Sequence, residues 1–266
     1  MTGRKKLAAG GALTQGAVLR RLTTEFVGRH ILYYPTVSST MDVARQAAKE
    51  GAPEGTAVVA DEQTAGRARL GRSWVNPRGV LAVSIILRPE MSYLLGLTMV
   101  ASLATSRCIE QAAGLKSTIK WPNDVLVRGK KISGILTESA LRGQSVDWAV
   151  VGIGINVNFD PKAYPEIADI ATSLSVELRR QVPELDVLVH LLSAVEFYYQ
   201  ALRRGEPVHE EWRSRLETLG KVVQVKTGTQ VEKGYAESVD SDGALMLRRD
   251  DGTLTRIVAG EVSLRP

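Results

Sequence analysis

Residues 63–74 place three arginines within six positions of a segment that also holds two glycines. The arginines are Arg67, Arg69 and Arg72. Guanidinium groups donate paired hydrogen bonds to phosphate or carboxylate, and Gly66 and Gly71 allow the backbone to bend towards a ligand. The segment lacks the Gly-Lys-Ser/Thr of a Walker A loop, and it is not a dinucleotide fingerprint. It predicts an anion-binding loop, with a solvated basic loop as the alternative.

A second candidate segment is Lys120-Trp-Pro-Asn-Asp124. A strand carries Lys120 to its end, and Pro122 favours a turn that presents Asn123 and Asp124. Here Lys120 could hold a phosphate, Asn123 a base or ribose edge, and Asp124 a Mg²⁺ ion. Taken alone, the pattern also fits a plain type I turn.

Two further segments carry weaker signals. Lys131 precedes an alternating strand, where a lysine can point into a site or into water. The Gly152-x-Gly154-x-Asn156 pattern suggests nucleotide binding, but it lacks the third glycine and the helix of a dinucleotide fingerprint. The alternative is a buried strand whose glycines permit close packing.

Several other chemistries are excluded. Ser117–Lys120 and Lys226–Gly228 match motifs of penicillin-recognising enzymes, but the first favours a strand and the Ser-Asp-Asn element is missing. The three histidines are scattered and there is one cysteine, so the sequence predicts neither a metal-ligand cluster nor a disulfide. There is no Gly-x-Ser-x-Gly nucleophile motif.

The elements that must position these residues follow from periodicity and from turn residues. Helices are predicted at 41–49, 94–113 and 185–202. Strands are predicted at 30–34, 57–60, 80–87, 117–120, 124–127, 131–138 and 148–155. From about Gly220 the chain becomes rich in short strands, at 222–226, 233–240, 244–248 and 254–258. Two Asp-Gly pairs between these strands predict hairpin turns and a small β-barrel.

Length and charge limit the remaining options. The 266 residues suit one large and one small domain. The net charge is +5, and residues 1–29 hold six basic residues against one acidic residue, which leaves the rest balanced at 28 of each. We therefore predict a basic, flexible arm at 1–21, and the high pI of the chain is poor evidence for a nucleic-acid surface. The single cysteine, the diluted apolar stretch after Lys6 and the absence of a membrane-length run favour the cytoplasm.

Taken in order, these segments resemble the biotin protein ligase family. The resemblance runs from about Thr24 to the C-terminus and rests on five spaced motifs. They are Ser-Ser-Thr at 38–40, Gln-Thr-Ala-Gly-Arg-x-Arg-x-x-Arg-x-Trp at 63–74, Lys-Trp-Pro-Asn-Asp at 120–124, Lys-x-x-Gly-Ile-Leu-x-Glu at 131–138 and Gly-x-Gly-x-Asn at 152–156. Ala171–Leu174 is a further family-like element.

The resemblance implies an α+β fold, with a mixed β-sheet and helices packed on one side, as in class II aminoacyl-tRNA synthetases. A catalytic domain at 22–218 and a C-terminal SH3-like β-barrel at 219–266 would follow the arm. It implies a ligase that joins biotin to ATP as biotinyl-5′-AMP, and then transfers biotin to a lysine of a biotin carboxyl carrier domain. The substrates are ATP and biotin, with Mg²⁺ as cofactor.

The resemblance also implies which residues form the site. The implied catalytic residues are Arg67, Arg69, Lys120, Asp124 and Lys131. The implied biotin contacts are Ser39, Thr40, Met41, Gln63, Gly66, Arg67, Ala68, Arg69, Lys131 and Gly134. The implied ATP contacts are Arg69, Arg72, Trp74, Lys120, Asn123, Lys131 and Asn156. Asp124 is the implied Mg²⁺ ligand, and it could instead orient the incoming lysine amine.

Two positions depart from the family pattern. Ala68 stands where the family often has Gly, which would cost about 1 kcal/mol if the site needs a positive φ. Met41 replaces the common Asn after Ser-Thr and removes one polar contact near biotin.

Two other functions stay open at the sequence level. A lipoate or octanoate ligase shares the catalytic fold but carries an Arg-x-Ser-Gly-Gly-Gly-type loop, which this chain lacks. A regulator that binds biotin without catalysis is the second. The 20–28 residues before the catalytic pattern are too few for a winged helix, so we expect no sequence-specific DNA binding. We also expect no membrane association, and an exposed sheet face or edge that allows a homodimer.

Overall fold

The computed structural model describes residues 13–263. Six α-helices lie within that part of the chain: α1 (Gln15–Leu19), α2 (Thr40–Lys49), α3 (Leu97–Ala113), α4 (Leu174–Leu178), α5 (Glu184–Arg203) and α6 (Val208–Ser214). The first seven strands are β1 (Ile31–Tyr34), β2 (Ala57–Ala60), β3 (Val80–Leu87), β4 (Thr118–Lys120), β5 (Asp124–Val127), β6 (Lys130–Arg142) and β7 (Ser145–Asn156). The last five are β8 (Val222–Thr227), β9 (Gln230–Val239), β10 (Leu245–Arg248), β11 (Leu254–Ile257) and β12 (Glu261–Ser263).

Strands β1 to β7 form one mixed sheet in the order β1-β2-β3-β7-β6-β5-β4. Only β1 and β2 pair in parallel, and the other neighbours are antiparallel. The pairing of β3 with β7 runs over eight residues, and that of β6 with β7 over ten. Strands β3, β7 and β6 form this long central ladder, which is the floor of the candidate site described below.

The two faces of the sheet are covered by different helices, because alternate residues of a strand point to opposite faces. Val59 and Ile85 belong to the main core, which contains α3 and α5. Val58 and Ile86 belong to a second core under α2, whose Ala44 is fully buried. The two long helices therefore pack on one side, as predicted, and the short α2 covers part of the other.

Local signals explain where the main helices begin and end. Helix α3 stops at Gly114, which adopts the left-handed conformation (φ 66°) that favours glycine. Helix α5 begins with Glu184 and Asp186 in its first turn, where acidic groups complement the helix dipole. The prediction of α3 began three residues early because residues 91–93 form a separate 3₁₀ turn.

The N-terminal arm requires a correction. Residues 1–12 of the predicted arm lie outside the described residues, but residues 13–21 do not extend from the body. Leu13 and Val18 are buried, α1 packs on α5, and Arg21 pairs with Asp186 at 2.5 Å. Residues 13–21 contain Leu13, Val18 and Leu19 beside only two basic residues, but the Gly/Ala-rich and basic composition of residues 1–21 as a whole predicted a flexible arm.

The C-terminal strands form a separate antiparallel sheet in the order β11-β10-β9-β8-β12. Gly243 (φ 84°) and Gly252 (φ 83°) adopt positive φ at the two predicted Asp-Gly turns. The edge strand β12 was not predicted, because it has three residues and follows an irregular segment. Together the two sheets confirm the predicted α+β fold class. No helix among residues 13–263 is both long and apolar enough to cross a bilayer.

Candidate functional site

The predicted motifs meet in one cavity beside the central strands of the large sheet. The cavity, together with the solvent space in its open mouth, has an empty volume of about 740 Å³. Its walls come from α2, the arginine loop (residues 63–74), the turn between β4 and β5, the floor strands β3, β6 and β7, and β12 of the second sheet. Segments far apart in sequence thus converge because their strands are neighbours in the sheet.

One end of the cavity is a chain of neutral hydrogen bonds. The Oε1 atom of Gln63 accepts from the backbone N–H of Thr40 at 2.8 Å and from its Oγ1 at 3.1 Å. Ser84 donates to Thr40 Oγ1 at 2.8 Å, and the Gln63 amide donates to Asn76 at 3.0 Å. These contacts fix the orientation of the Gln63 amide. Ser84 and Asn76 escaped the sequence analysis, because a serine within an apolar strand and a loop asparagine carry no distinctive signal.

Two of the implied ligand contacts, Ser39 and Asn156, lie behind the cavity wall. Ser39 is fully buried, and its hydroxyl has no hydrogen-bond partner among the described residues. Asn156 is 3% exposed and donates to the Thr172 carbonyl at 2.9 Å. The N–H of Thr172 in turn donates to the carbonyl of Lys131 at 2.9 Å. Asn156 therefore supports the backbone beneath Lys131, through the segment that Ala171–Leu174 marked in the sequence.

The three arginines of the loop attach it to three different parts of the molecule. Arg67 pairs with Glu138 and Asp42, Arg69 donates to Asn123 at 2.9 Å, and Arg72 pairs with Glu261 of β12 at 2.7 Å. Burial lowers the pKa of Arg69 below its ordinary value. The arginine loop is thus an ordered wall of the cavity and not a solvated basic loop.

The backbone of the loop removes the concern about Ala68. Its φ is −126°, an extended conformation that any residue adopts. The left-handed conformation occurs instead at Leu70 (φ 57°) and Gly71 (φ 71°). A glycine is required at Gly66 for a different reason, because a Cβ there would lie 2.4 Å from the carbonyl oxygen of Trp74.

Charged groups gather at the other end of the cavity. Lys131 Nζ lies 2.7 Å from Asp124 Oδ1 and 5.3 Å from the centre of the Trp74 ring. Lys120 and Asn123 line the same end. The β5–β6 hairpin explains this arrangement, since Leu126 faces Lys131 across a bulge and Asp124 faces Gly134. An anion can bind at this end if it replaces Asp124 as the ionic partner of Lys131.

The glycines of the floor strands make room for two large side chains. A Cβ at Gly154 would lie 2.6 Å from the Trp74 ring, and one at Gly152 would lie 2.5 Å from Met41 Sδ. Gly134 is similarly close to Trp74, at 3.0 Å. The Gly-x-Gly pattern therefore serves close packing, as its alternative interpretation proposed, and that packing shapes the cavity itself.

A second and wider groove adjoins the cavity. It lies between the start of α3, the free side of β6 and the second sheet, and Leu95, Thr98, Trp212 and Val258 are among its lining residues. Arg69, Leu70, Pro122 and Asn123 line both spaces. These four residues therefore form a wall that the cavity and the groove share.

Comparison with known proteins identifies the family to which this chain is similar. Residues 33–156 match the biotin/lipoate A/B protein ligase family, and residues 218–265 match the biotin protein ligase C-terminal domain. The chain is 38% identical over 260 residues to the bifunctional ligase/repressor BirA of Bacillus subtilis, a match that covers 96% of this chain and 80% of that protein. This chain belongs to the biotin protein ligase family.

Other relatives are consistent with this assignment. The biotin–[acetyl-CoA-carboxylase] ligase of Paracoccus denitrificans is 36% identical over 203 residues, which cover 73% of this chain and 85% of that protein. Among solved structures, the biotin protein ligase of Aquifex aeolicus in complex with biotin and ATP is 31% identical, with a TM-score of 0.78. It covers 89% of this chain and 99% of that chain. The family resemblance inferred from the motifs is confirmed.

Proposed function

We propose that this chain is an ATP-dependent biotin protein ligase. In the first step the biotin carboxylate attacks the α-phosphate of ATP, which forms biotinyl-5′-AMP and releases pyrophosphate. In the second step a lysine amine of a carrier domain attacks the acyl carbon, which forms an amide and releases AMP. The observation that carries this proposal is a single cavity with a neutral hydrogen-bonding end and a cationic end.

The neutral end suits the ureido ring of biotin. Thr40 and Gln63 offer hydroxyl, amide and backbone groups whose orientation is already fixed by Ser84 and Asn76. Met41 and Gly152 add an apolar surface beside them. A neutral ligand that both donates and accepts hydrogen bonds fits such a pocket, because its polar groups exchange water for partners already in place.

The cationic end suits the reacting groups. Two anions, a carboxylate and a triphosphate, must approach each other, and Lys131, Lys120 and Arg69 reduce their repulsion and stabilise the charge that develops at phosphorus. Trp74 offers a flat surface to the adenine, and Asn123 offers polar atoms to the nucleotide. The arginine loop excludes water, which would otherwise hydrolyse the mixed anhydride.

Asp124 is the residue that fits Mg²⁺. The described residues contain no group of three His, Cys, Asp or Glu side chains that could hold a metal ion unaided. Mg²⁺ is commonly held by one or two carboxylates together with phosphate oxygens, so Asp124 and the ATP phosphates form a suitable ligand set. The bound ion would neutralise phosphate charge. Asp124 has a second candidate role, which is to orient the amine of the acceptor lysine.

The two alternatives are less well supported. A lipoate or octanoate ligase would use the same cationic end, but the Paracoccus denitrificans relative is named a biotin–[acetyl-CoA-carboxylase] ligase, and the Aquifex aeolicus structure is a biotin protein ligase bound to biotin and ATP. An inactive regulator has no use for Lys131, Lys120 and Asp124 gathered at one end of the cavity. A cytoplasmic setting, a homodimer and the absence of operator binding remain predictions from the sequence.

The deciding experiment measures pyrophosphate release that depends on both biotin and ATP, and then transfer of labelled biotin to a biotin carboxyl carrier domain. Lipoate serves as the control acid. Transfer of biotin but not of lipoate is the expected result. Transfer of lipoate would support a lipoate or octanoate ligase, and biotin binding without pyrophosphate release would support the regulator.

A further inference from the structure

Four charged side chains meet beside the neutral end of the cavity, and the sequence analysis gave a role to only one of them. They come from α2, the arginine loop and β6, and they are Asp42, Arg45, Arg67 and Glu138. Glu138 closes the Lys-x-x-Gly-Ile-Leu-x-Glu motif, but neither reaction step described above uses it.

Glu138 and Arg67 form a fork of two parallel hydrogen bonds. Arg67 Nη2 donates to Glu138 Oε1 at 2.5 Å, and Nη1 donates to Oε2 at 3.2 Å. Nη1 also donates to Asp42 Oδ1 at 3.0 Å. The Glu138 side chain is 24% exposed and that of Arg67 is 35% exposed. Bidentate pairs in such partly buried places fix geometry as well as charge.

Asp42 contributes less to this contact than Glu138. Its Oδ1 atom also accepts a hydrogen bond from Arg45 at 2.8 Å, whereas Arg45 lies 3.8 Å from Glu138 Oε2, beyond hydrogen-bond distance. Its side chain is 39% exposed, and water screens it more strongly. Glu138 stands on the rigid β6–β7 ladder, whereas Arg67 stands on a loop. Glu138 therefore fixes the position of Arg67, and not the reverse.

The attachment of Arg67 differs from those of the other two loop arginines. Arg69 and Arg72 fasten the far part of the loop to Asn123 and Glu261, beside the charged end. Only the contact of Arg67 lies next to α2, whose Thr40 and Met41 line the neutral end. Loss of this contact would therefore free the part of the loop that covers biotin.

We propose that Glu138, assisted by Asp42, is a positioning residue that holds Arg67 and thereby keeps the arginine loop closed over biotinyl-5′-AMP. This inference rests on the proposed ligase activity. Glu138 acts through Arg67 and does not touch the reacting atoms. Its function is retention of the intermediate, which must remain bound until the acceptor lysine arrives.

The test uses the variant Glu138→Gln, which keeps the shape and an acceptor oxygen but removes the charge. Biotinyl-5′-AMP is formed on the enzyme and chased with unlabelled biotin and ATP. We expect the intermediate to dissociate about tenfold faster, as for the loss of one charge-assisted pair. We expect kcat for pyrophosphate exchange at saturating substrates to stay within about threefold, because Lys131 and Asp124 are unchanged.

A double-mutant cycle separates positioning from general weakening of the fold. If Glu138 acts through Arg67, then Glu138→Gln adds no further loss of retention to Arg67→Ala. Effects that multiply in the double variant would overturn the proposal. The matched control is Glu237→Gln, which breaks a bidentate Glu–Arg pair with Arg248 on the second sheet and should leave retention unchanged.

The outcomes distinguish this inference from the proposed function. A wild-type chain that releases no pyrophosphate from biotin and ATP contradicts the ligase itself. An active wild type whose Glu138→Gln variant retains the intermediate equally well contradicts the positioning role alone. If Glu138→Gln does not fold, Asp42→Asn provides the test, with an expected two- to threefold loss of retention, about the effect of one shared and screened pair.

Discussion

Lys131 lies between a carboxylate and an aromatic ring. Its ammonium group lies 2.7 Å from the Asp124 carboxylate and over the face of Trp74, while its backbone pairs with residues 170–172. The side chain is 28% exposed, so an incoming anion can reach it. Because both its backbone and its ammonium group are held in place, Lys131 is well suited to stabilise a phosphate whose negative charge increases during the reaction.

Replacement of Lys131 by Met should reduce kcat/KM for pyrophosphate exchange by about 10²–10³-fold, the usual cost of losing one such donor. The thermal unfolding midpoint is measured alongside, because the variant leaves the Asp124 carboxylate, which is 19% exposed, without its ionic partner. Lys221→Met is the matched control, since Lys221 forms a surface pair with Glu217 at 3.2 Å. A Lys131→Met enzyme within threefold of wild type would exclude Lys131 from the chemistry.

The two glycines of the floor make separable predictions. Gly154→Ala would press on the Trp74 ring and should raise the KM for ATP about tenfold, whereas Gly152→Ala would press on the Met41 side chain and should raise the KM for biotin. The second effect should be smaller, because Met41 presents the flexible end of its side chain. Steady-state kinetics with each substrate varied in turn measure both. Equal effects of either variant on both substrates would contradict this division of the cavity.

At the scale of elements, the sequence predicted what local rules determine. The end of α3 at Gly114 and the hairpins at Gly243 and Gly252 could be predicted because glycine readily adopts a positive φ, and all three glycines do so in the structure. The contact between Trp74 and Gly154 could not be predicted, because it joins residues eighty positions apart and depends on how the loop folds over the floor strands. The same holds for Glu138 and Arg67. Single-sequence patterns locate residues along a chain but do not show which of them touch.

The start of α5 makes a prediction about pH. Burial raises the pKa of Glu184 above its ordinary value, although a hydrogen bond from Asn158 acts in the opposite direction. Because its pKa is higher in the folded state, ionisation of Glu184 destabilises the fold as the pH rises from its unfolded pKa through its folded pKa. Glu184→Gln should therefore raise Tm at pH 7 and leave it unchanged well below the unfolded pKa.

Thermal unfolding at the two pH values tests this prediction. Asp186→Asn is the control, because Asp186 lies in the same helical turn but forms an exposed pair with Arg21. Its replacement removes a surface pair and should not raise Tm at pH 7. A Glu184→Gln variant that is less stable than wild type at pH 7 would show that the carboxylate is stabilising there.

At the scale of the whole molecule, the second sheet is fastened to the catalytic site. Trp121 Nε1 donates to the Gly243 carbonyl at 2.8 Å, and Arg72 of the arginine loop pairs with Glu261. Gly260, Glu261 and Val262 line the cavity itself. The C-terminal sheet therefore forms part of the site. The sequence predicted a barrel in this region but not this arrangement, since the contacts join the β4–β5 turn to a hairpin 122 residues away.

Replacement of Trp121 by Phe tests how far this link matters. The variant removes the hydrogen bond and leaves the Gly243 carbonyl without its donor, which should lower the free energy of unfolding by about 1–3 kcal/mol. It should also raise the KM for ATP, because Trp121 adjoins Lys120. Trp212→Phe is a close control: Trp212 is equally buried, but its indole N–H has no hydrogen-bond partner among the described residues. Both variants lose the same ring volume, but Trp212→Phe also removes a buried N–H without a partner, so the difference in urea unfolding gives an upper limit for the hydrogen bond of Trp121. Equal destabilisation by the two variants would mean that packing, and not this hydrogen bond, joins the second sheet to the catalytic site.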